Sequence, residues 1–310
     1  MRAEALFTRR LRGVISGVGM AALTLATSVQ VHAQPALNPN IVGQPVDGAI
    51  GLQPAYSVLK TDAIWFHDWI LLPIITAISL FVLALLMFCV FRFNRRSNPV
   101  PGRWSHNTAI EIAWTLIPVL ILLVISVFSF PLLFEYHNMP RPDLTVKATG
   151  YQWYWGYEYP DQKIAEYTSN VLSKEDAAAK GEPYLLAADT ALVVPVHKTV
   201  HVLVTGADVI HDFSLPAFGI KIDAVPGRVN DAWFNATKTG LYYGECDQLC
   251  GVNHAFMPIE IKVVTQPQFD AWVASQQPAA APPSATPPAA PQKVALNTSA
   301  APPLAPVATH

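Results

Sequence analysis

The sequence predicts a membrane-anchored protein, in which a two-helix transmembrane hairpin is followed by an all-β sandwich outside the bilayer. Three observations lead to this prediction: two long stretches without charge, an arginine-rich loop between them, and a later region of many short strands. The 310 residues are 52% hydrophobic with a formal net charge of −2, so charged side chains are few for the length. They are also unevenly placed, because Asp143–Asp270 holds 16 acidic and 9 basic side chains.

Residues 1–33 have the pattern of a secretory signal. An apolar stretch, Gly13–Val31, follows a positively charged start made by Arg2, Arg9, Arg10 and Arg12. Val31-His32-Ala33 fits the small-x-small cleavage rule, which makes Gln34 the expected mature start. An uncleaved third membrane helix is the alternative, but the stretch is poor in Leu and rich in Gly, Ser and Thr. Residues 34–63 show no clear period and are expected to form an exposed N-terminal arm.

Two stretches of 23 residues, Trp69–Phe91 and Ile112–Phe134, contain no charged side chain. About 20 apolar residues are enough to cross a bilayer, so a hairpin at 64–134 is predicted. A globular core helix is rarely apolar on every face for so long. The segment Arg92–Asn107 of the loop between the spans has no acid and carries Arg92, Arg95, Arg96 and Arg103. The positive-inside rule places this loop in the cytoplasm, so the rest of the mature chain is expected on the periplasmic side of a bacterial inner membrane.

Residues 143–276 predict the sandwich. The segment Leu144–Tyr159 alternates and is rich in β-branched and aromatic residues. Further strands are expected at Leu192–Val196, Thr199–Thr205, Asp231–Asn235, Gly240–Tyr243 and Ile259–Val264. Many short strands bounded by Gly, Pro and Asp are typical of a β-sandwich, and the polar stretch Ser169–Pro183 is expected to be a surface insertion. Residues 277–310 are rich in Ala and Pro and are expected to be a disordered tail.

Four possible metal ligands fall within twelve residues: Cys246, Cys250, His254 and Met257. Thiolate, thioether and imidazole together favour copper over harder ions. The second Cys points to two thiolates bridging two coppers, and such a site needs another imidazole. His211, after the strand expected at Thr199–Thr205, is the candidate, since cupredoxin-type sites take one His from an early strand. A Cys246–Cys250 disulfide among ordinary loop residues is the alternative.

The motif Cys246-x3-Cys250-Gly-x2-His254-x2-Met257-Pro resembles the CuA motif of cytochrome c oxidase subunit II. Gln152-Trp153-Tyr154-Trp155 and the segment Asp223–Arg228 also resemble that family, and the similarity covers about Tyr56 to Ala274. The resemblance implies a cupredoxin-like domain holding two coppers. Their ligands would be the two bridging thiolates, one imidazole per copper, a thioether and one backbone carbonyl, from Cys246, Cys250, His211, His254, Met257 and Gln248.

The resemblance implies a one-electron relay. Cytochrome c would deliver electrons to the copper centre, which would pass them to haem in subunit I, where oxygen is reduced and protons are pumped. Trp153 matches the residue through which electrons enter, although packing alone explains most Trp residues. Glu158, Asp189 and Asp208 match carboxylates that dock a basic cytochrome c, which an acidic domain would attract; the alternative is that they are simply solvated. The expected partners also include other oxidase subunits and membrane lipid, but no nucleic acid.

Three residues carry weaker implications of the same resemblance. Glu111, at the cytoplasmic threshold of the second span, matches the entrance of a proton path, and the alternative is a carboxylate wetted by lipid headgroups. Arg228 matches a residue that contacts haem propionates. Gln248 stands where the family usually has a Glu that also reaches a magnesium ion shared with the large subunit. The amide brings no negative charge, so magnesium binding is uncertain.

Related functions differ in their sequence requirements. A quinol oxidase subunit II would lack the copper ligands, nitrous oxide reductase would lack the two-helix anchor, and a fused haem c domain would need a Cys-x-x-Cys-His motif, which does not occur here. A membrane-anchored copper-delivery chaperone remains as the alternative. It would have one anchor, a thioredoxin fold with βαβ alternation, and a His far from its two Cys.

Overall fold

The computed structural model describes residues 38–100 and 102–277. The expected signal peptide at 1–33, the first residues of the arm at 34–37 and the expected tail after Gln277 lie outside the described residues.

Two long helices precede the β-domain. The first runs from Val58 to Arg92 as α1 (Val58–Phe66), a π-helical segment (His67–Leu71) and α2 (Leu72–Arg92). The second is α3 (Thr108–His137). No residue in the most apolar window of either helix is buried within the protein. Helices that are apolar on all sides and this long are typical of membrane spans, so the protein is a membrane protein. The two spans meet where the Trp65 ring lies 6.1 Å from that of Phe128.

Eleven strands, two short α-helices and a 3₁₀ turn at His254–Phe256 lie in the rest of the described chain. In chain order the strands are β1 (Ile41–Gly43), β2 (Leu144–Tyr151), β3 (Tyr154–Tyr159), β4 (Ile164–Ser169), β5 (Leu192–Pro195), β6 (Thr199–Gly206), β7 (His211–Leu215), β8 (Ile220–Ala224), β9 (Asn230–Asn235), β10 (Gly240–Glu245) and β11 (Pro258–Val264). The short helices are α4 (Lys174–Lys180), within the expected insertion, and α5 (Gln266–Gln276), after the last strand.

The strands form two sheets that enclose one hydrophobic core. One sheet has the order β4-β3-β2-β6-β9, and the other has the order β5-β11-β10-β7-β8 with β1 added beside β10. Inward-facing residues alternate along each strand as the period of two requires; in β6 these are the fully buried Val200, Val202 and Val204. This architecture confirms the predicted hairpin and all-β sandwich. It differs from the thioredoxin fold that the chaperone alternative would require.

The sandwich rests on the outer ends of both long helices. The Ser57 hydroxyl, which caps α1, donates to the carbonyl of Phe218 at 2.6 Å. At the end of α3, the Tyr136 hydroxyl donates to the Gly219 carbonyl at 2.9 Å, and the Trp233 indole donates to the Tyr136 carbonyl at 3.1 Å. These bonds hold the β7–β8 turn and β9 directly over the helix pair.

Candidate metal centre

The loop that joins β10 to β11 lies beside the start of β7. β10 and β11 pair along their whole length, from Gly240 opposite Val263 to Glu245 opposite Pro258. Glu245 also pairs with Ser214 of β7. The loop between the paired ends carries Cys246, Cys250, His254 and Met257, and His211 is the first residue of β7. This pairing brings residues distant in sequence to one end of the sandwich.

Six ligand groups converge there. The two thiol sulfurs are buried, free and 3.8 Å apart, well beyond the bonded distance of about 2.05 Å, so the alternative disulfide is not formed. His211 Nδ1 lies 3.9 Å from the Cys246 sulfur, and His254 Nδ1 lies 3.6 Å from the Cys250 sulfur. The Met257 sulfur is 3.5 Å from Cys250, and the Gln248 carbonyl is 3.3 Å from Cys246.

This donor set fits copper. The His211 nitrogen and the two cysteine sulfurs lie within 4.8 Å of one another, and the set contains three sulfurs, two imidazoles and one carbonyl. Soft sulfur ligands favour Cu(I), and imidazole suits copper in either state. Each thiol lies beside its own imidazole, so the arrangement has the internal symmetry of a site for two ions rather than one.

The two thiols have different affinities for their protons. Burial opposes ionisation of Cys246, but hydrogen bonds from His211 and from the Asp212 N–H outweigh it and lower its pKa to about 7. Burial and the neighbouring Cys246 raise the pKa of Cys250 to about 12. One thiolate therefore forms readily, whereas the second needs a bound cation. Metal binding is then coupled to proton release.

Asp208 orients the His211 imidazole. Its carboxylate accepts a hydrogen bond from His211 Nε2 at 2.9 Å and from the Gln152 N–H at 2.7 Å. These bonds lower the Asp208 pKa despite partial burial. The bond also fixes the orientation of the ring, with Nδ1 facing Cys246, as outer carboxylates usually do for metal-binding histidines. We predicted Asp208 as a docking carboxylate; the spacing Asp208-x-x-His211 was the available signal for this contact.

The turn between β2 and β3 anchors the ligand loop. The Cys250 carbonyl accepts hydrogen bonds from Gln152 Nε2 at 2.9 Å and from the Trp153 indole at 3.3 Å. The buried Trp155 indole donates to the Met257 carbonyl at 3.3 Å. Trp153 lies in the turn rather than in a strand with Trp155. A Cβ on Gly251, where φ is +126°, would come within 2.9 Å of the Trp153 ring, so only glycine allows this close approach.

The other predicted site residues lie outside the metal cluster. Glu158 accepts a hydrogen bond from Lys147 at 3.3 Å, and Asp189 accepts one from the Asn170 N–H at 2.8 Å. Arg228 is exposed in the β8–β9 loop. The Glu111 carboxylate accepts a bond from the Asn107 N–H at 3.4 Å, and so helps to cap the start of α3.

One buried carboxyl was missed. Asp212 is 1% exposed, and its Oδ1 has no hydrogen-bond partner among the described residues. Burial raises its pKa to about 7, although Lys221 opposes the rise. Lys221 itself pairs with Asp247, beside Gln248. Nothing in the sequence marked Asp212, since its burial follows only from the packing of β7.

Known proteins resemble both parts of the chain. A family described as cytochrome C oxidase subunit II, periplasmic domain, matches residues 144–264, and the corresponding transmembrane domain matches residues 45–132. Cytochrome c oxidase subunit 2 of Cereibacter sphaeroides is 46% identical over 271 residues, which cover 82% of this chain and 88% of that protein. A probable cytochrome c oxidase subunit 2 of Rickettsia bellii (strain RML369-C) is 49% identical over 238 residues, covering 77% of this chain and 88% of that protein.

Among solved structures, the periplasmic domain of subunit II of cytochrome oxidase of Bradyrhizobium japonicum is 54% identical. The match covers 44% of this chain and 96% of that one, with a TM-score of 0.42.

Proposed function

The chain belongs to the cytochrome c oxidase subunit II family, and from that premise we propose that it is the electron-entry subunit of its oxidase. It receives single electrons from a cytochrome c at a dinuclear copper centre and passes them to haem in subunit I, where oxygen is reduced to water and protons are pumped. The observation that carries the proposal is the convergence of two free thiols, each beside its own imidazole.

Six groups of this chain would hold the metal pair. Cys246 and Cys250 would contribute thiolates, His211 and His254 would contribute imidazoles, and Met257 and the Gln248 carbonyl would be the weaker ligands. When bound, a copper pair shared between two thiolates supplies a one-electron redox couple. The protein buries the three sulfur ligands and His211 and anchors the loop through the carbonyls of Cys250 and Met257, which would limit changes in ligand geometry between redox states.

Trp153 is the proposed entry point for electrons. It is half-buried, and its indole donates to the carbonyl of the ligand residue Cys250. This hydrogen bond gives a short path from the protein surface to the metal loop. Glu158, Asp189 and Asp208 are the proposed docking carboxylates, in a domain whose excess of acid would steer a basic cytochrome c towards it. Asp208 would combine docking with the orientation of His211.

The remaining assignments concern contacts with subunit I and the membrane. We place the β-domain in the periplasm and the arginine loop in the cytoplasm, as the positive-inside rule requires. Arg228 and the Gln248 side chain are both exposed and free to face another subunit, Arg228 towards haem propionates. A magnesium ion at Gln248 would need its negative ligands from subunit I. Glu111 is proposed as the proton-path entrance in addition to capping α3.

The test is the metal content of the full-length protein, purified in detergent within its oxidase and measured together with its electron paramagnetic resonance spectrum. About two coppers at this domain, with one unpaired electron coupled equally to both nuclei, would support the electron relay. A single copper that is transferred to an acceptor protein, or a Cys246–Cys250 disulfide without copper, would refute the proposal and favour the delivery chaperone.

A further inference from the structure

A second polar cluster lies on the outer face of the same two strands. Tyr243 pairs with Glu260 across β10 and β11, so their side chains share one face of the sheet. Their neighbours Tyr242 and Ile261 belong to the main core. The outer face is covered by the insertion between β4 and β5, where a small cluster packs on Tyr243 through Leu172, Ala177 and Ala187.

Beneath this insertion, the Tyr243 phenol and the Glu260 carboxylate share one face of the sheet, and the Glu182 carboxylate lies near enough to interact with both through its charge. Glu260 is 5% exposed, and one of its oxygens accepts a hydrogen bond from the Ala188 N–H at 2.8 Å. Tyr243 is 1% exposed. Its hydroxyl and one Glu182 oxygen are fully enclosed and have no hydrogen-bond partner within the described chain. Buried polar atoms nearly always have a partner, so ordered water or an ion is needed to complete this group.

The carboxylates are close enough to interact but are not neutralised. Burial and the neighbouring Glu182 raise the pKa of Glu260 to about 7. Burial also raises the pKa of Tyr243, and the charges of Glu260 and Glu182 add to that rise. Lys180 and Lys262 oppose the change at Glu260. Among the ion pairs of residues 38–100 and 102–277, neither lysine bonds to Glu182 or Glu260. A buried carboxylate beside a second, partly buried carboxylate is costly without a paired cation.

The pocket is open to water on one side. It joins a cavity of about 750 Å³ between the insertion, β11 and the N-terminal arm. Asn38, Asn40, Glu182, Asp189 and Glu260 are among its lining residues. The arm closes this cavity through a bond from the Asn38 N–H to the Gly181 carbonyl at 3.1 Å. Water can therefore reach the carboxylates and complete the coordination of an ion.

We propose that this pocket binds a hard divalent cation, calcium, through the Glu182 and Glu260 carboxylates and the Tyr243 hydroxyl. The ligands are all oxygen and carry two negative charges, which matches one divalent ion. Calcium takes six to eight oxygens in irregular geometry and accepts water among them. The bound ion ties the insertion to the strands that lead into the metal loop, and so stabilises that end of the sandwich.

The test uses copper-loaded full-length protein in detergent, stripped of calcium and magnesium with a chelator and then titrated with calcium. We expect the thermal unfolding midpoint to rise in a saturable way, with half-saturation at about 10⁻⁴–10⁻³ M. Glu182→Gln and Glu260→Gln should each shift half-saturation by at least about tenfold, roughly 1.4 kcal/mol. Glu175→Gln, an exposed carboxylate of α4, is the matched control and should respond like the wild type.

A second readout locates the ion. Terbium occupies calcium sites and emits when a nearby tyrosine is excited, so Tyr243→Phe should reduce the sensitised emission. The copper spectrum should remain unchanged in every variant, which separates loss of the cation site from misfolding. The proposal is overturned if calcium does not stabilise the wild type, if both Gln variants retain its full effect, or if terbium emission is unaffected by Tyr243→Phe.

Discussion

The strand pair β10–β11 presents two buried polar clusters of opposite chemistry. At its loop, sulfur and imidazole side chains face one another, and each thiol has a nitrogen or sulfur neighbour within 3.9 Å. On its outer face, only three positions beyond the end of the loop, Glu260 and Tyr243 present oxygen atoms. One β-hairpin can therefore present soft donor atoms in its loop and hard donor atoms on its outer face. The metal that each cluster favours depends on the chemistry of its donor atoms and not on its position in the fold.

The two clusters also differ in the hydrogen bonds that hold their side chains in place. The ligand loop is anchored by the indole and amide groups of Gln152, Trp153 and Trp155. Within the described residues, the Glu260 carboxylate accepts one backbone hydrogen bond, from the Ala188 N–H, and the α4 insertion covers the outer cluster. The loop is therefore preorganised before metal arrives, whereas fewer hydrogen bonds support the side chains of the outer cluster.

The largest effect should come from Cys250→Ser, which replaces a soft donor with a hard one at the centre of the loop. We expect copper affinity to fall by more than about 100-fold, beyond what loss of an outer-shell group causes. Copper content and the paramagnetic spectrum measure it. Cys89→Ser, at an exposed position of α2, is the control and should change neither. Full copper content in Cys250→Ser would show that the cysteine is not a ligand.

Asp208→Ala tests whether the loop depends on its outer carboxylate. Loss of the bond to His211 should weaken copper binding by about 10–100-fold. The spectrum should change as well, because the imidazole is no longer held. Asp189→Ala removes a carboxylate that contacts Asn170 instead, and should affect only the salt-dependent reaction with cytochrome c. If Asp208→Ala also affected only the salt-dependent reaction with cytochrome c, Asp208 would be a docking residue and would not support copper binding.

Trp153→Phe removes the indole that anchors the Cys250 carbonyl but keeps an aromatic ring. Electron entry from reduced cytochrome c should slow by about tenfold, or about 1.4 kcal/mol in activation free energy, with copper content unchanged. Stopped-flow mixing with the intact oxidase measures this rate. The control is Trp272→Phe in the distant cluster around Tyr159. Copper loss in Trp153→Phe would instead assign the indole a purely structural role.

The smallest effect concerns the outer cluster and its pH dependence without divalent cations. The pKa of Glu260 rises from 4.5 to about 7 on folding, chiefly through burial, so the folded state keeps a proton that the unfolded state releases. The resulting stability is complete below pH 4.5 and is lost as pH rises through 7. Relative to Glu260→Gln, the wild-type free energy of unfolding should fall by about 1 kcal/mol between pH 6 and 7.

Denaturant titration of the detergent-solubilised chain at several pH values measures this difference. Glu175→Gln should follow the wild-type profile, because that side chain is exposed. Parallel profiles for the wild type and Glu260→Gln would show that Glu260 has the same proton affinity in the folded and unfolded states.

The fold class was predictable because its signals are periodic and local. The two long stretches without charged residues identified the membrane spans, and the alternating pattern of the short strands identified the sandwich. The start of the first helix was not predictable, since the helix begins at Val58 in a segment that contains Lys60 and Asp62. That end is set by the Ser57 cap and by packing on the sandwich, neither of which is an apolar pattern.

The metal loop was predictable from ligand spacing within one segment, but its surroundings were not. His211 opens a strand of its own, and the role of Asp208 depends on which imidazole nitrogen faces the sulfur. The pairing of Tyr243 with Glu260 depends on strand register, and the enclosure of Glu182 depends on how the insertion folds back. These features arise from tertiary packing and leave no short motif.

Strand β1 precedes both membrane helices in the chain, yet it pairs with β10, the strand that leads into the ligand loop. During synthesis on a ribosome, the arm therefore emerges long before its partner exists. Both helices and most of the sandwich must be made before this edge of the sheet can close, and such non-local pairing is slow. The order of translation thus makes completion of the sheet beside the ligand loop a late event, after membrane insertion.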